Sequence, residues 1–240
     1  MGGVIGNGDL YEQYQIIEQD FINFIKIVPL NDPYHLKVHS PILRDIIIRA
    51  CVQIEIFFKE WAKFECSKNN IHPLFKDYNR VDKRTKKIGG VRNWNFGDYF
   101  IFKESFIRER EIHVRPMNNY ISPFESWINE KEPPVWWQTY NSIKHNGLNA
   151  KTDANLKNTL DSLGALFTLH CVNHHSRRFL TQFSNNSIDK RAFKIQVRFS
   201  ELSSPLDTKR YLFKDFYGSF ERPTELVTME HFKNRDKKRL

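Results

Sequence analysis

Residues 40–66 read SPILRDIIIRACVQIEIFFKEWAKFEC, and this stretch decides the class of the fold. Leu43, Ile46, Ile47, Ala50, Ile54, Phe57, Phe58 and Trp61 recur at three- and four-residue steps, which places them on one broad helical face. Ser40-Pro41 is the opening signal. A serine oxygen accepts from a first-turn amide, and proline suits the first helical position, where its missing N–H costs no bond. A stripe this wide is expected to face the middle of a helical bundle.

Working outward, Leu10, Tyr14, Ile17, Phe21, Phe24 and Val28 predict an earlier helix from Leu10 to Val28, ended by Pro29, Asn31, Asp32 and Pro33. Downstream, residues 67–98 turn polar and basic, with Asn69, Asn70, Pro73, Lys83, Arg84, Lys86, Lys87, Gly89, Gly90 and Gly97. They read as a solvated insert, with room for a short helix. Arg110 to Arg115 alternates charge with Ile112 and Val114, as a half-buried strand does. Pro123, Pro133 and Pro134 bracket a loop holding Trp127, and a helix follows with Val135, Trp136, Tyr140, Ile143 and Lys144. Another is expected from about Thr152 to Phe183, carrying Leu156, Leu160, Leu163, Leu166, Phe167 and His170. Phe193, Ile195, Val197 and Phe199 alternate with Lys194, Gln196 and Arg198, the cleanest strand pattern in the chain. Residues 233–240 form a charged tail. No repeat or linker divides the chain, so residues 1–240 read as a single domain. Its class is mainly α: a four-helix core with short inserted and C-terminal strands.

The composition narrows the functional classes. A net charge of +9 favours polyanionic partners, nucleic acid before membrane. Three cysteines, Cys51, Cys66 and Cys171, without a C-x-x-C pair suggest neither a disulfide framework nor a zinc ribbon. No apolar run is long enough for a membrane span, and the N-terminus lacks signal-peptide features, so a soluble, cytoplasmic protein is expected. Gly2, Gly3, Gly6 and Gly8 follow no strand and therefore do not read as a phosphate-binding loop. No cofactor and no metal are expected.

The segment richest in chemistry is PPVWWQTYNSIKH, residues 133–145. On a helix Asn141 and His145 lie one turn apart, with Tyr140 and Lys144 in the adjacent row. An imidazole that titrates near neutrality beside an ammonium is a pair suited to phosphodiester chemistry, with Lys144 offsetting transition-state charge. The plainer reading has Trp136, Trp137 and Tyr140 packing the core while Lys144 and His145 cap the helix end. Glu55 is either an acidic partner for His145 or Lys144, or one half of an i,i+4 pair with Lys59. Further along, His170, Cys171, His174, His175, Arg177 and Arg178 read as a polar, basic helix end. Arg177 and Arg178 are placed to reach phosphates; a His170–His174 metal pair lacks an acidic third ligand.

The tract W-W-x-x-Y-N-x-x-K-H at 136–145, followed by Ala154-Asn155-Leu156, resembles a recurrent pattern of bacterial HEPN-like proteins. Ser40-Pro41-Ile42 and the I-E-x-x-x-K signature of Ile54, Glu55 and Lys59 resemble their second helix. The resemblance spans residues 10–183. It implies a compact helical bundle, often a homodimer with motif helices face to face. It also implies metal-independent endoribonuclease activity in active members, and roles in toxin–antitoxin, abortive-infection and CRISPR-linked antiviral defence. Laid on this chain, His145 matches the family histidine and Asn141 the polar position. The arginine position holds Tyr140, whose phenol lacks the charge and fork of a guanidinium. Arg108-x4-His113 has the family spacing but falls on a predicted strand. The expected function is therefore a basic helical module that binds RNA, DNA or a nucleoprotein partner, through Lys83, Arg84, Lys86, Lys87, Arg177 and Arg178. The alternative is a ribonuclease dimer centred on His145.

Overall fold

The structure, a computed structural model, describes residues 7–68, 79, 81, 86, 88–107, 110–117, 119–146, 152–173 and 193–197. The described chain is mainly helical. Helix α1 spans Asn7–Ile25 and α2 Pro41–Lys68; α3 is the short Phe100–Phe102, running into a π-helical turn at Lys103–Ile107. Helix α4 spans Val135–Asn146 and α5 Leu156–Val172. Strands β1 (Arg110–Val114), β2 (Asn119–Ile121) and β3 (Phe193–Val197) form one antiparallel sheet in the order β2-β1-β3. Ile112 pairs with Ile121 on one side and Ile195 on the other.

Helix α2 begins where the Ser40-Pro41 signal predicts, with the Leu43 amide donating to Ser40 Oγ at 3.1 Å. Its apolar face is fully covered: Leu43, Ile46, Ile47, Ala50, Ile54 and Phe58 have no exposed surface. The helix touches each of the other long helices, and its largest interface is with α5. Helix α1 starts at Asn7 and ends at Ile25, three residues before the expected stop, because the backbone turns at Lys26–Val28 ahead of Pro29.

Helix α5 differs more from its expected span. It begins at Leu156, not Thr152, since Asn155 is the cap and its Oδ1 accepts from the Asn158 amide at 2.9 Å. It ends at Val172, where Asn173 turns extended (ψ 117°), short of the expected Phe183. Nearly every residue of α5 is buried, the mark of a helix enclosed on all sides. Helices α1, α2 and α4, the turns at His35–Lys37 and Lys103–Ile107, and strands β1 and β3 pack around it. Gly164 permits that approach: a Cβ there would stand 3.0 Å from Ile121 Cδ1 and 3.2 Å from Ile112 Cδ1. The hydroxyls that α5 buries donate back to its own carbonyls, Thr159 to Asn155, Ser162 to Thr159 and Thr168 to Gly164.

The expected solvated insert at 67–98 is corrected at its C-terminal end. Val91, Trp94 and Phe96 are buried, in and between short 3-10 turns at Gly90–Asn93 and Phe96–Tyr99. Asn95 caps the second turn, accepting from the Gly97 amide at 2.7 Å while Asp98 accepts from the Asn95 amide at 2.7 Å. These residues join the aromatic core because rings are the largest apolar surfaces available to fill the space beside α2. Phe96 stacks on Trp137 (3.9 Å) and Trp127 (4.4 Å), and Phe58 stacks on Tyr99 (5.1 Å). Trp127, placed in a loop by its flanking prolines, has no exposed surface.

Gly97 holds the second turn against the 129–132 loop. A Cβ at this position would lie 2.3 Å from the Glu130 carbonyl oxygen, and backbone cannot move aside as a side-chain tip can. Gly97→Ala is expected to destabilise the protein by about 1–3 kcal/mol, the usual range for overpacking. A denaturant midpoint unchanged by the substitution would mean that the turn and loop separate freely.

Candidate functional site

The 94–99 turn, the 130–133 loop, α2 and α4 enclose an open cleft of about 340 Å³. Four of the residues singled out from the sequence meet here: Glu55 from α2, and Tyr140, Asn141 and Lys144 from α4. Their convergence follows from helix periodicity. Residues 140, 141 and 144 lie within about one turn of α4, and α4 packs against α2.

Each group has a defined state. Glu55 Oε1 accepts from Lys59 Nζ at 2.5 Å, so the i,i+4 pair exists alongside the cleft position. Both side chains are about one-third exposed, and such a pair contributes only a few tenths of a kcal/mol. Tyr140 is a core residue whose edge reaches the cleft. Its phenol pKa is pushed up by burial, then by the charge of Glu55, then by Cys51. Lys144 is exposed, with its ammonium 5.6 Å from the Tyr140 ring centroid, a cation–π placement. Tyr99 stands opposite, its phenol held well above the usual range by burial, then by Glu55 and Asp98. Both phenols are protonated donors at neutral pH.

His145 is placed differently from its neighbours. It is exposed on the last turn of α4 and does not line the cleft. Lys144 lines the cleft and His145 does not, although His145 shares the i,i+4 row of Asn141: it sits one turn further along, at the end of the helix. The cleft also matches ammonium with carboxylate, Lys131 and Lys144 against Glu55 and Glu130. Trp94, Asn95, Tyr99 and Trp137 were missed as cleft residues by the sequence reading. The available signal was the W-N-F triplet at 94–96, too apolar for a solvated loop.

Of the basic residues expected to bind nucleic acid, Lys86 is exposed and has a left-handed backbone (φ 56°). Lys83, Arg84, Lys87, Arg177 and Arg178 lie outside the described residues, as do Arg108, His174, His175 and the tail at 233–240. His113 sits in β1 opposite Tyr120 and Lys194, as the strand reading requires. His170 is corrected. It is not part of a polar helix end but is fully buried, with ring centroids of Phe57, Tyr14 and Tyr11 at 5.2, 5.3 and 5.6 Å. Burial lowers its pKa to about 3, so the ring is neutral. Among the described residues, no three His, Cys, Asp or Glu side chains group as metal ligands, and no helix is long and apolar enough to cross a membrane. No family model matches the chain, and neither a curated protein nor a solved structure matches it.

Proposed function

We propose that the chain is a HEPN-like four-helix bundle of prokaryotic defence that binds nucleic acid, RNA before DNA, or a nucleoprotein partner. The observation that carries this reading is the meeting of Glu55 with Tyr140, Asn141 and Lys144 in one open cleft. They belong to the two tracts on which the resemblance rests, from helices far apart in sequence, although the family histidine, His145, does not line the cleft. The net charge of +9 adds long-range attraction for a polyanion. Binding is favoured over cleavage by Tyr140, which fills the family's arginine position with a neutral, buried phenol. Labelled single-stranded RNA is expected to shift in a gel and to release steeply between about 50 and 200 mM salt. Lys144→Ala should flatten the log–log salt slope by about 0.7, the value of one phosphate contact to a single strand. RNA that fails to bind at low salt refutes the reading.

One observation keeps the nuclease reading in view. His145 is exposed beside Lys144 at the end of α4, open to a substrate or to the same helix of a second copy in a homodimer. In that reading EDTA-resistant RNA cleavage falls by about 100-fold or more in His145→Ala, as loss of a general acid–base group predicts. Wild-type protein that leaves RNA intact while shifting it selects the binder.

A further inference from the structure

A second groove, of about 490 Å³, runs between α1 and α2 on the outside of the bundle, with Asp20, Phe24, Ile27, Ile42, Asp45 and Arg49 in its lining. Each helix lays a row of residues along it. Ile16, Asp20, Asn23 and Ile27 follow at three- and four-residue steps on α1 and the turn that continues it, as do Ile42, Asp45, Arg49 and Val52 on α2. Hydrogen bonds fix how the rows lie together. Arg49 Nη2 donates to Asp20 at 2.7 Å and Gln53 Nε2 donates to Gln13 at 3.0 Å, so the helices run antiparallel. Ile27 and Ile42 then stand at one end of the face, and Ile16 and Val52 at the level of the other. These four side chains are 82, 56, 59 and 39% exposed. Singly, exposed apolar residues need no explanation; four in line around a charged centre form a patch of the kind that partners cover.

The centre holds both signs. Arg49 lies between Asp20 and Asp45, at 2.7 and 2.8 Å, and each of the three side chains keeps a third or more of its surface exposed. Two carboxylates against one guanidinium make this face locally acidic in a chain of net charge +9. It repels a polyanion, and it is where a second basic copy approaches with least repulsion. The layout is also self-complementary. A two-fold axis lying in the face, parallel to the helices, places α1 of a second copy over α2 of the first at the same height. Each apolar end then meets its like, and Asp20 of each copy stands over Arg49 of the other, whose fork has N–H groups for more than one carboxylate. An axis across the helices stacks α1 on α1 instead, where Asp20 meets no new cation. The two helices offer a face about 20 Å wide and, along α1, about 28 Å long. That is less than the ~800 Å² per partner of a lasting interface, so the contact is expected to be reversible.

We propose that the α1–α2 face is a homodimer interface, in which α1 of each copy packs on α2 of the other and Asp20 pairs with Arg49 across the two-fold axis. The cleft stays open in both copies. It shares no lining residue with this groove, and Glu55 stands about 120° around α2 from Arg49. Such a dimer differs from one built on facing motif helices, and it does not depend on the RNA-binding reading.

Sedimentation equilibrium of the full chain between about 1 and 300 µM is expected to show reversible growth from one chain to two, with the micromolar dissociation constant that an interface of this size supports. Ile27→Glu and Ile42→Glu should each raise that constant about tenfold or more. Both side chains are mostly exposed, and a glutamate suits the first turn of α2, so the two variants keep the fold. Val135→Glu, at an exposed position of α4, should leave the mass curve unchanged. Cysteine pairing reads the orientation, since all three native cysteines are buried. Ile27→Cys mixed with Ile42→Cys should give a disulfide-linked heterodimer with copper–phenanthroline as oxidant, and neither variant alone should link. A chain that stays monomeric across the range overturns the interface, and so does a dimer that survives both glutamate variants. Dissociation caused by Val135→Glu alone moves the contact to α4, and Ile27→Cys that links to itself with no gain on mixing overturns the axis. Weaker RNA binding in Ile27→Glu at unchanged mass gives the face to RNA and ends the dimer.

Discussion

Between pH 6.5 and about pH 3 the protein is expected to lose stability steeply, and His170→Phe is expected to remove much of that loss. The His170 ring is fully buried among Tyr11 and Tyr14 from α1 and Phe57 from α2. Among the described residues neither ring nitrogen has a hydrogen-bond partner, so nothing compensates a charge there. Burial moves its pKa from 6.5 to about 3. The sign follows from proton counting. Below 6.5 the unfolded chain protonates this imidazole, whereas the native ring stays neutral until about pH 3. The unfolded state therefore binds more protons throughout that window, and stability falls as pH falls; above 6.5 the contribution is fully present. The slope approaches ~1.4 kcal/mol per pH unit, on the order of 4–5 kcal/mol over the window. That is comparable with the whole stability of many domains, about 5–15 kcal/mol. His170→Phe should also be more stable than wild type at pH 7, since it removes two unsatisfied buried nitrogens. Guanidinium midpoints for both proteins at pH 7 and pH 4 provide the measurement. Carboxylate protonation contributes equally to both, so parallel losses would show that His170 is not the responsible group.

Phe96→Ala should be the most damaging single substitution in the aromatic half of the core, costing about 3–5 kcal/mol. The ring lies between Trp137 and Trp127 at 3.9 and 4.4 Å, with Trp136 and Phe58 meeting it edge-on at 5.8 and 5.9 Å. Removing it opens a space that four rigid rings from α2, α4 and the 127 loop cannot collapse to fill. Phe96→Leu separates stacking from volume: most of the space stays filled, and the expected cost drops to about 1.5 kcal/mol or less. Phe96 also lines the cleft, so the alanine variant should lose any cleft ligand together with stability. An alanine variant within about 1 kcal/mol of wild type would show that the surrounding rings close the gap unaided.

These effects bear on how the candidate site is built. The cleft is not carried by one flexible loop. Its aromatic floor is the core itself, with Phe96, Tyr99 and Trp137 packed below the surface and only their edges reaching the opening. Such a floor is rigid, which favours selective recognition over broad accommodation. The exposed groups around it, Lys131 and Lys144, are the adjustable part.

Local pattern alone established a first helix from about residue 10, where the structure starts it at Asn7, helices that begin near residues 41 and 135, and a strand from Arg110. It also established that Tyr140, Asn141 and Lys144 share one stretch of helix, because side-chain period and capping chemistry act within a few residues. The chain fold was needed for everything that depends on distant neighbours. Asn155, in place of Thr152, begins α5 because its side chain caps that helix and its backbone bridges His39. His170 is neutral and enclosed because α1 and α2 close over it. Trp94 and Tyr99 become cleft walls because Gly97 lets their turn press against the 130 loop. Lys144 lines the cleft while His145 does not, since only the packing of α4 on α2 decides which of two adjacent residues borders it. Burial and charge environment are sums over the whole surrounding volume, and no window along the chain contains that volume.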